Sequence, residues 1–258
     1  IMVLAAALGG AAWASVPGLL KARFGVHEVI NTIMMNFIAV GLTSYFVINV
    51  LREQGQMTPQ TAEIAVAGHL PRLAGTLQAI GIPMPAANPL NFSILIALGA
   101  VWLSWFILYR TTLGYEIRAV GLNSAAAEFA GINVRRTMVL AMMLSGAFAG
   151  LVATNEVMGF RHRFLDNFSS GLGFMGIAVA LLGKNTPAGV LVAALLFGVL
   201  NTGALEIDVF TDVPRELILV LQAITIILVV VGNEVFMRKI AARSASVRVS
   251  AEVSGDTS

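Results

Sequence analysis

Few residues of this chain have the types and spacing that enzymatic chemistry requires. Gly171, Gly173 and Gly176 form a G-x-G-x-x-G pattern, but no predicted strand precedes it and no acidic residue follows at about 20 positions, as a dinucleotide site would need. Close approach of backbones explains these glycines better. The sequence also contains no G-x-x-x-x-G-K-[ST] phosphate loop. We therefore expect that this chain does not itself hydrolyse ATP.

The histidines and acids are equally poor candidates for catalysis or metal binding. His27, His69 and His162 fall in different loops and have no second ligand three or four positions away, so we interpret them as surface histidines. The acidic residues lie near segment ends, and no set of Ser, His and Asp is suggested. We expect no metal site, no bound cofactor and no enzymatic activity.

The apolar segments instead contain neutral polar side chains. Such groups most often form hydrogen bonds between helices, but together they would also suit a path for an uncharged, hydrogen-bonding solute. The candidates for that path are Asn31, Asn36, Asn155, Glu156 and Asn201, with Asn155 and Glu156 at its outer mouth. The middles of these segments hold no ionisable residue, so a proton- or sodium-driven carrier would have few groups with which to couple.

Composition decides the broad class. Of the 258 residues, 57% are hydrophobic and only 12% are charged, whereas soluble domains carry about 25% charged residues. The sequence therefore predicts an integral membrane protein, with one transmembrane domain over residues 1–240 and a disordered tail over 241–258. The net charge of +2 comes without a basic, aromatic-bearing polar face, so we expect no nucleic-acid partner. The absence of cysteine excludes disulfides and thiolate metal sites.

The predicted spans follow from the thickness of a bilayer, which needs about 20 helical residues. Six segments are long enough, namely residues 1–20, 28–51, 89–109, 137–157, 188–206 and 214–236. Residues 173–183 are too few to cross, so we predict a re-entrant half-helix that turns at residues 184–187. Pro71 could open a further short helix at the membrane interface.

Residues 111–136 form a polar island between two apolar segments, and their pattern predicts two short helices. Leu113, Ile117 and Val120 recur on one helical face, with Thr111 or Thr112 as the N-cap and Gly121 as the end. The second helix has Asn123 or Ser124 as its N-cap and Gly131 at the left-handed position after its last turn, and its alanines would let another backbone approach closely. A docking site and a solvated loop both remain open.

Lysine and arginine set the predicted orientation. If residues 111–136 are cytoplasmic, that side holds 11 of the 16 basic residues and the other side holds 5. The positive-inside rule therefore predicts that the island and the C-terminus face the cytoplasm.

The island resembles the cytoplasmic coupling loop of ABC importer permeases of the ribose, branched-chain amino acid and nucleoside type. The residues that carry this resemblance are Gly114, Arg118, Ala119, Gly121, Asn123, Ala126, Ala127, Ala130, Gly131 and Ile132. Residues 18–40, 144–159 and 171–200 are also similar to that family, most of all to its nucleoside and simple-sugar permeases. Leu122 and Ser124 depart from it, since a charged residue and a proline are common there.

The resemblance implies an all-α, polytopic bundle in the bacterial inner membrane that passes a nucleoside or simple sugar inward. It also implies a separate cytoplasmic ATPase that uses ATP, a second permease subunit and an extracytoplasmic solute-binding lipoprotein. The chain begins within an apolar stretch, which suggests that its true N-terminus is missing, and the resemblance implies further helices before Ile1. A branched-chain amino acid permease, a secondary carrier and a purely structural membrane scaffold are the alternatives.

Overall fold

The computed structural model describes residues 1–53, 55, 58–73, 90–169, 171–210, 220, 223 and 224. Over this part the chain is helical, without strands beyond isolated bridges, and four of its helices are long and apolar enough to cross a membrane. The predicted all-α, polytopic architecture is confirmed. The chain divides into two compact units, Ile1–Ser170 and Gly171–Ser258, which are described separately.

The first unit holds three long apolar helices before the polar island and one after it. In chain order its helices are α1 Met2–Phe24, α2 Glu28–Asn49, the 3₁₀ turn Val66–Gly68, α3 Ser93–Arg110, α4 Thr112–Leu122, α5 Ser124–Phe129, α6 Val134–Gly150 and the π-helix Thr154–Phe160. The last two together form the apolar segment Val134–Phe160, which is 27 residues long.

Helices α1 and α6 pack through their backbones. A Cβ atom on Gly146 would overlap the carbonyl oxygen of Gly10 and the methyl group of Ala14, and one on Gly150 would overlap the carbonyl oxygen of Ala6. Because lipid supplies no hydrophobic driving force between helices, small residues that bring backbones together stabilise such a pair by dispersion contacts. Small residues at four-residue spacing, Ala6, Gly10 and Ala14 on α1 and Gly146 and Gly150 on α6, thus form the interface.

These contacts also show that α1 and α6 run antiparallel. Ala6 meets Gly150, Gly10 meets Gly146, and Gly18 meets Met142 and Val139, so residue numbers rise on one helix as they fall on the other. The end of α1 therefore lies beside the start of α6.

The unit consequently has two polar ends. One end contains the α1–α2 turn, where Lys21 is ion-paired with Glu28, and residues 111–136. The other end contains the segments after α2 and after the π-helix, which join through backbone bonds such as Ile64 N–H to the His162 carbonyl, 2.8 Å. This alternation matches the predicted order of crossings.

The second unit begins with α7, Leu172–Leu182, whose 11 residues confirm the predicted short helix. Lys184 and Asn185 both adopt left-handed backbone, and α8, Pro187–Phe210, begins directly after them. The turn fits tightly because a Cβ atom on Gly183 would lie 2.6 Å from the backbone of Gly189. The predicted turn at residues 184–187 is confirmed, whereas the re-entrant placement in the membrane stays a prediction.

Three predicted features lie outside the described residues. They are the short helix after Pro71, most of the span at residues 214–236 and the tail at residues 241–258. The single domain over residues 1–240 likewise stays a prediction.

Replacing Gly146 with leucine tests the contact between α1 and α6. The new side chain would overlap Gly10 and Ala14, and overpacking of this kind costs about 1–3 kcal/mol. We expect a lower unfolding temperature in detergent. Gly9→Leu is the matched control, since a Cβ atom there meets no described atom within 4 Å. Equal unfolding temperatures for the two variants would contradict the close contact.

Candidate functional site

Residues 111–136 fold into two short helices at an angle to each other, here called the elbow. Thr111 caps α4, because its hydroxyl oxygen accepts a hydrogen bond from Gly114 N–H at 3.1 Å. Asn123 caps α5 by accepting from Ala126 N–H at 3.0 Å. Each cap satisfies an N–H group that has no partner within its helix, which fixes where the helix begins. Both caps were among the predicted alternatives.

Gly131 ends α5 as predicted. Its φ of 83° lies in the left-handed region. The Gly131 N–H donates to the Glu128 carbonyl at 2.9 Å and the Ile132 N–H donates to the Ala127 carbonyl at 3.0 Å, which is the Schellman pattern. Glycine is favoured here because a side chain would strain this backbone conformation.

The prediction that Gly121 ends the first helix is wrong. Helix α4 continues to Leu122, and the change of direction takes place at Asn123, whose backbone is extended with φ −158° and ψ 106°. Asn123 acts on both sides, since its own N–H donates to the Ala119 carbonyl at 3.1 Å while its side chain caps α5. One residue therefore suffices for the turn, and no glycine is needed.

Gly114 and Arg118 hold the elbow against α3. Gly114 is buried, and a Cβ atom on it would collide with the carbonyl oxygen of Ile107 and the backbone of Leu108. The Arg118 guanidinium lies 5.1 Å from the centre of the Tyr109 ring, and its Nε donates to the Gly114 carbonyl at 3.4 Å. Arg118 thus braces the corner between α3 and α4.

The elbow is also tied to α6. The Ala127 side chain is only 4% exposed, and Thr137, which is 2% exposed, donates from its hydroxyl to the Glu116 carboxylate at 3.4 Å. Among the other predicted residues, Ala119 and Ile132 are half-buried and Ala126 is exposed. The elbow therefore packs against the helix bundle and is not a free loop.

Large apolar side chains remain on the outer surface of the elbow. Phe129 is 94% exposed, Leu122 is 89% exposed and Tyr115 is 61% exposed. In the sequence, Leu122 stands out only as a departure from the family pattern, and Phe129 is not among the predicted site residues. What distinguishes these residues in the sequence is that they are apolar within an otherwise polar segment. Exposed apolar side chains of this kind indicate a surface that another protein covers.

The predicted path residues take up different environments. Asn31 is 8% exposed and donates from its amide to the Pro17 carbonyl at 3.1 Å, so it joins α2 to α1. Asn36 is exposed on α2, and Asn201 is half-buried in the second unit. Glu156 forms a 3.2 Å ion pair with Arg161.

Asn155 lies in a polar cluster at the mouth of a cavity. Its carbonyl oxygen accepts from the Ser93 hydroxyl at 2.7 Å and from the Asn91 amide at 3.3 Å. The cavity has a volume of about 530 Å³, and its described lining is Ser93, Ile94, Ile96, Ala97, Ala100, Phe148, Leu151, Val152, Thr154 and Asn155. It is apolar along α3 and α6, and polar where the π-helix begins.

Near this mouth, ion pairs and ring stacking join the segment after α2 to the segment after the π-helix. Arg163 donates to Glu53 at 3.1 Å and to Glu63 at 3.4 Å. The rings of His69 and His162 stack with centres 3.8 Å apart, and both residues are half-buried, so the interpretation of all histidines as scattered surface residues is wrong for this pair. No group of three potential metal ligands occurs among the residues that the structure describes.

Comparison with known proteins assigns the family. The model of the branched-chain amino acid transport system permease component matches residues 1–230. The chain belongs to this permease family. It is a multi-pass membrane protein of the ABC transporter permease type, as the sequence predicted.

Individual relatives narrow the likeness. The chain is 40% identical over 230 residues to the guanosine ABC transporter permease of Bacillus subtilis, covering 89% of this chain and 64% of that protein. It is 35% identical over 238 residues to the glucose ABC transporter permease of Haloferax volcanii, covering 92% and 62%. It is 35% identical over 232 residues to the nucleoside ABC transporter permease of Lactococcus lactis, covering 90% and 63%. The predicted likeness to nucleoside and simple-sugar permeases is confirmed.

The chain spans slightly less than two thirds of the length of these relatives. No solved structure matches it.

The corner between α3 and α4 is tested by Gly114→Ala in this permease. The added methyl group would collide with backbone atoms of α3, which cannot move aside as a flexible side chain can. We expect a lower unfolding temperature and faster proteolysis within residues 111–136. Gly121→Ala is the control, because that position has open space and replacing a helical glycine with alanine stabilises by about 0.5–1 kcal/mol. Equal protection of the elbow in both variants would refute the seating of α4.

Proposed function

We propose that this chain is the membrane-spanning subunit of a binding-protein-dependent ABC importer and passes a nucleoside or simple sugar inward. The observation that carries the proposal is the elbow, a rigidly capped pair of helices that presents Leu122 and Phe129 to solvent. The chain has no nucleotide-binding loop of its own. A cytoplasmic ATPase that uses ATP would therefore drive transport, while this chain binds no cofactor.

The elbow is suited to transmit movement from such an ATPase. Both N-caps and the Schellman turn fix the helix ends, and the contacts through Gly114 and Ala127 seat the helices on the bundle. A displacement of Phe129 is then passed to α3 and α6 instead of being absorbed by a loop. A stiff elbow is needed if the ATPase is to switch the bundle between two conformations. The ATPase can favour one conformation only through contacts that differ between the two.

The other partners follow from the same proposal. A second permease subunit, identical or paralogous, would complete the translocation path, and an extracytoplasmic solute-binding lipoprotein would deliver the solute. The excess of basic residues on the elbow's side supports a cytoplasmic elbow and a cytoplasmic C-terminus in a bacterial inner membrane.

The cavity beside Asn155 supports the proposed solute class. Ser93, Thr154 and Asn155 offer neutral hydrogen-bonding groups, Phe148 offers an aromatic face, and the described lining holds no charged side chain. A free amino acid would bring a carboxylate and an ammonium group that need charged or strongly polar partners on desolvation. An uncharged sugar or nucleoside fits this lining better than a branched-chain amino acid.

The docking role predicts that the double variant Leu122→Glu, Phe129→Glu loses its ATPase. Each apolar side chain contributes about 1.5–3 kcal/mol when buried in an interface, so the loss of both should abolish co-purification of the cognate ATPase with the full-length permease. Val66→Glu is the matched control, since Val66 is 81% exposed but lies at the other end of the unit. Undiminished co-purification of the double variant would remove the elbow from the ATPase interface.

The solute path predicts that Asn155→Leu raises the apparent KM for uptake. The substitution removes the acceptor of the Ser93 hydroxyl and the polar mouth of the cavity, at a cost of about 1–3 kcal/mol. Uptake of labelled guanosine and labelled glucose is measured separately in proteoliposomes with the ATPase and binding protein present. Asn49→Leu is the control, because among the described residues the Asn49 amide bonds only to the Tyr45 carbonyl on its own helix.

An unchanged apparent KM for both solutes in Asn155→Leu would take Asn155 out of the path. The same vesicles test the competing classes. Uptake without the ATPase would identify a carrier, and the absence of both uptake and ATPase association would leave a structural scaffold.

A further inference from the structure

Arginines from two helices meet at the elbow end of the first unit. The antiparallel register of α1 and α6 places Arg23, in the last turn of α1, beside Arg135 and Arg136, in the first turn of α6. All three line one cavity of about 480 Å³. All three are exposed, and because like charges repel, an anion held between them would be stabilised there.

These arginines lack protein counter-charges. Within the described part of the chain, the guanidinium groups of Arg23, Arg135 and Arg136 form no salt bridge or hydrogen bond, whereas the neighbouring Lys21 is ion-paired with Glu28. The Arg136 backbone N–H donates to the Asn133 side chain at 3.0 Å. No acidic residue is among the described residues that line the cavity. The N-terminus of α6 and the C-terminus of α1 meet here, so their opposed helix dipoles largely cancel and the arginines set the local potential.

Apart from Asn133, the rest of the described lining is apolar. Leu19 and Ala22 from α1 and Val139 and Leu140 from α6 form one wall. Of these, Leu19, Val139 and Leu140 lie about one helical turn deeper in the bundle than the arginines. The cavity thus offers guanidinium groups at the level where headgroups lie and hydrocarbon contacts below them. This arrangement matches a phospholipid, whose phosphate and acyl chains are separated in the same direction.

We propose that this cavity binds the phosphate of an anionic membrane phospholipid. Arginine forks suit phosphate oxygens because they donate two parallel hydrogen bonds each, and basic pockets between membrane helices on the cytoplasmic side hold anionic headgroups in this manner. A free phosphate ion would share the headgroup chemistry but would leave the apolar wall formed by Leu19, Ala22, Val139 and Leu140 uncovered. The positive-inside rule accounts for arginines on this side, but not for three of them around one cavity.

The test titrates the full-length permease in neutral detergent with phosphatidylglycerol, phosphatidylcholine or inorganic phosphate. Native mass spectrometry counts the bound molecules. We expect retention of phosphatidylglycerol only, and affinity about tenfold or more weaker in Arg135→Gln, Arg136→Gln, since each basic residue contributes about a fivefold effect. Arg135→Lys, Arg136→Lys keeps the charge and should retain most of the binding.

The control is Arg72→Gln, Arg110→Gln, which removes two exposed arginines that do not line the cavity and should leave lipid binding unchanged. The proposal is overturned if the Arg135 and Arg136 glutamine variant retains phosphatidylglycerol like the wild type while eluting as a monodisperse protein. It is also overturned if phosphatidylcholine is retained equally, or if inorganic phosphate binds and phosphatidylglycerol does not displace it.

Discussion

The contact between α1 and α6 is the constraint on which the first unit depends. Gly10, Gly146 and Gly150 let the two backbones touch, and a backbone contact permits less sliding than a contact between long side chains. The pair therefore has one register. That register decides that Arg23 faces the start of α6, that the elbow lies at the same end as the α1–α2 turn, and that the π-helix lies at the other end.

The two ends differ in how their backbones are satisfied. At the elbow end, helix caps and a Schellman turn satisfy the N–H and carbonyl groups locally, so the elbow is stiff over a short stretch of sequence. At the other end, the segments after α2 and after the π-helix satisfy each other across about 100 residues of sequence, through Arg163 with two glutamates and through backbone bonds. The local caps keep the elbow rigid when it is displaced. Ion pairs and loop contacts between distant segments can break and re-form at a modest cost in free energy.

The same difference explains what could be predicted. The caps at Thr111, Asn123 and Gly131 depend on neighbours within four residues, so residue type and spacing were enough to find them. The predicted helix end at Gly121 was wrong. Glycine commonly follows a helix, but here the extended backbone of Asn123 makes the turn. The pairs Asn31 with Pro17, Ser93 with Asn155 and His69 with His162 join separate segments, and no local pattern specifies such partners.

Under the proposed function, this distribution of contacts restricts where the permease can move. Helices α1 and α6 are held by glycine contacts, and the elbow is fixed to α3 through Gly114 and to α6 through Thr137. A push on the elbow therefore displaces these elements together as one body, because packed interfaces of this kind move as units rather than deform. Within the first unit, the contacts that change during this displacement are therefore expected to be the polar ones between segments distant in sequence. The ion pairs of Arg163 with Glu53 and Glu63 and the hydrogen bonds of Asn155 are such contacts. They lie near the mouth of the cavity through which the solute would enter.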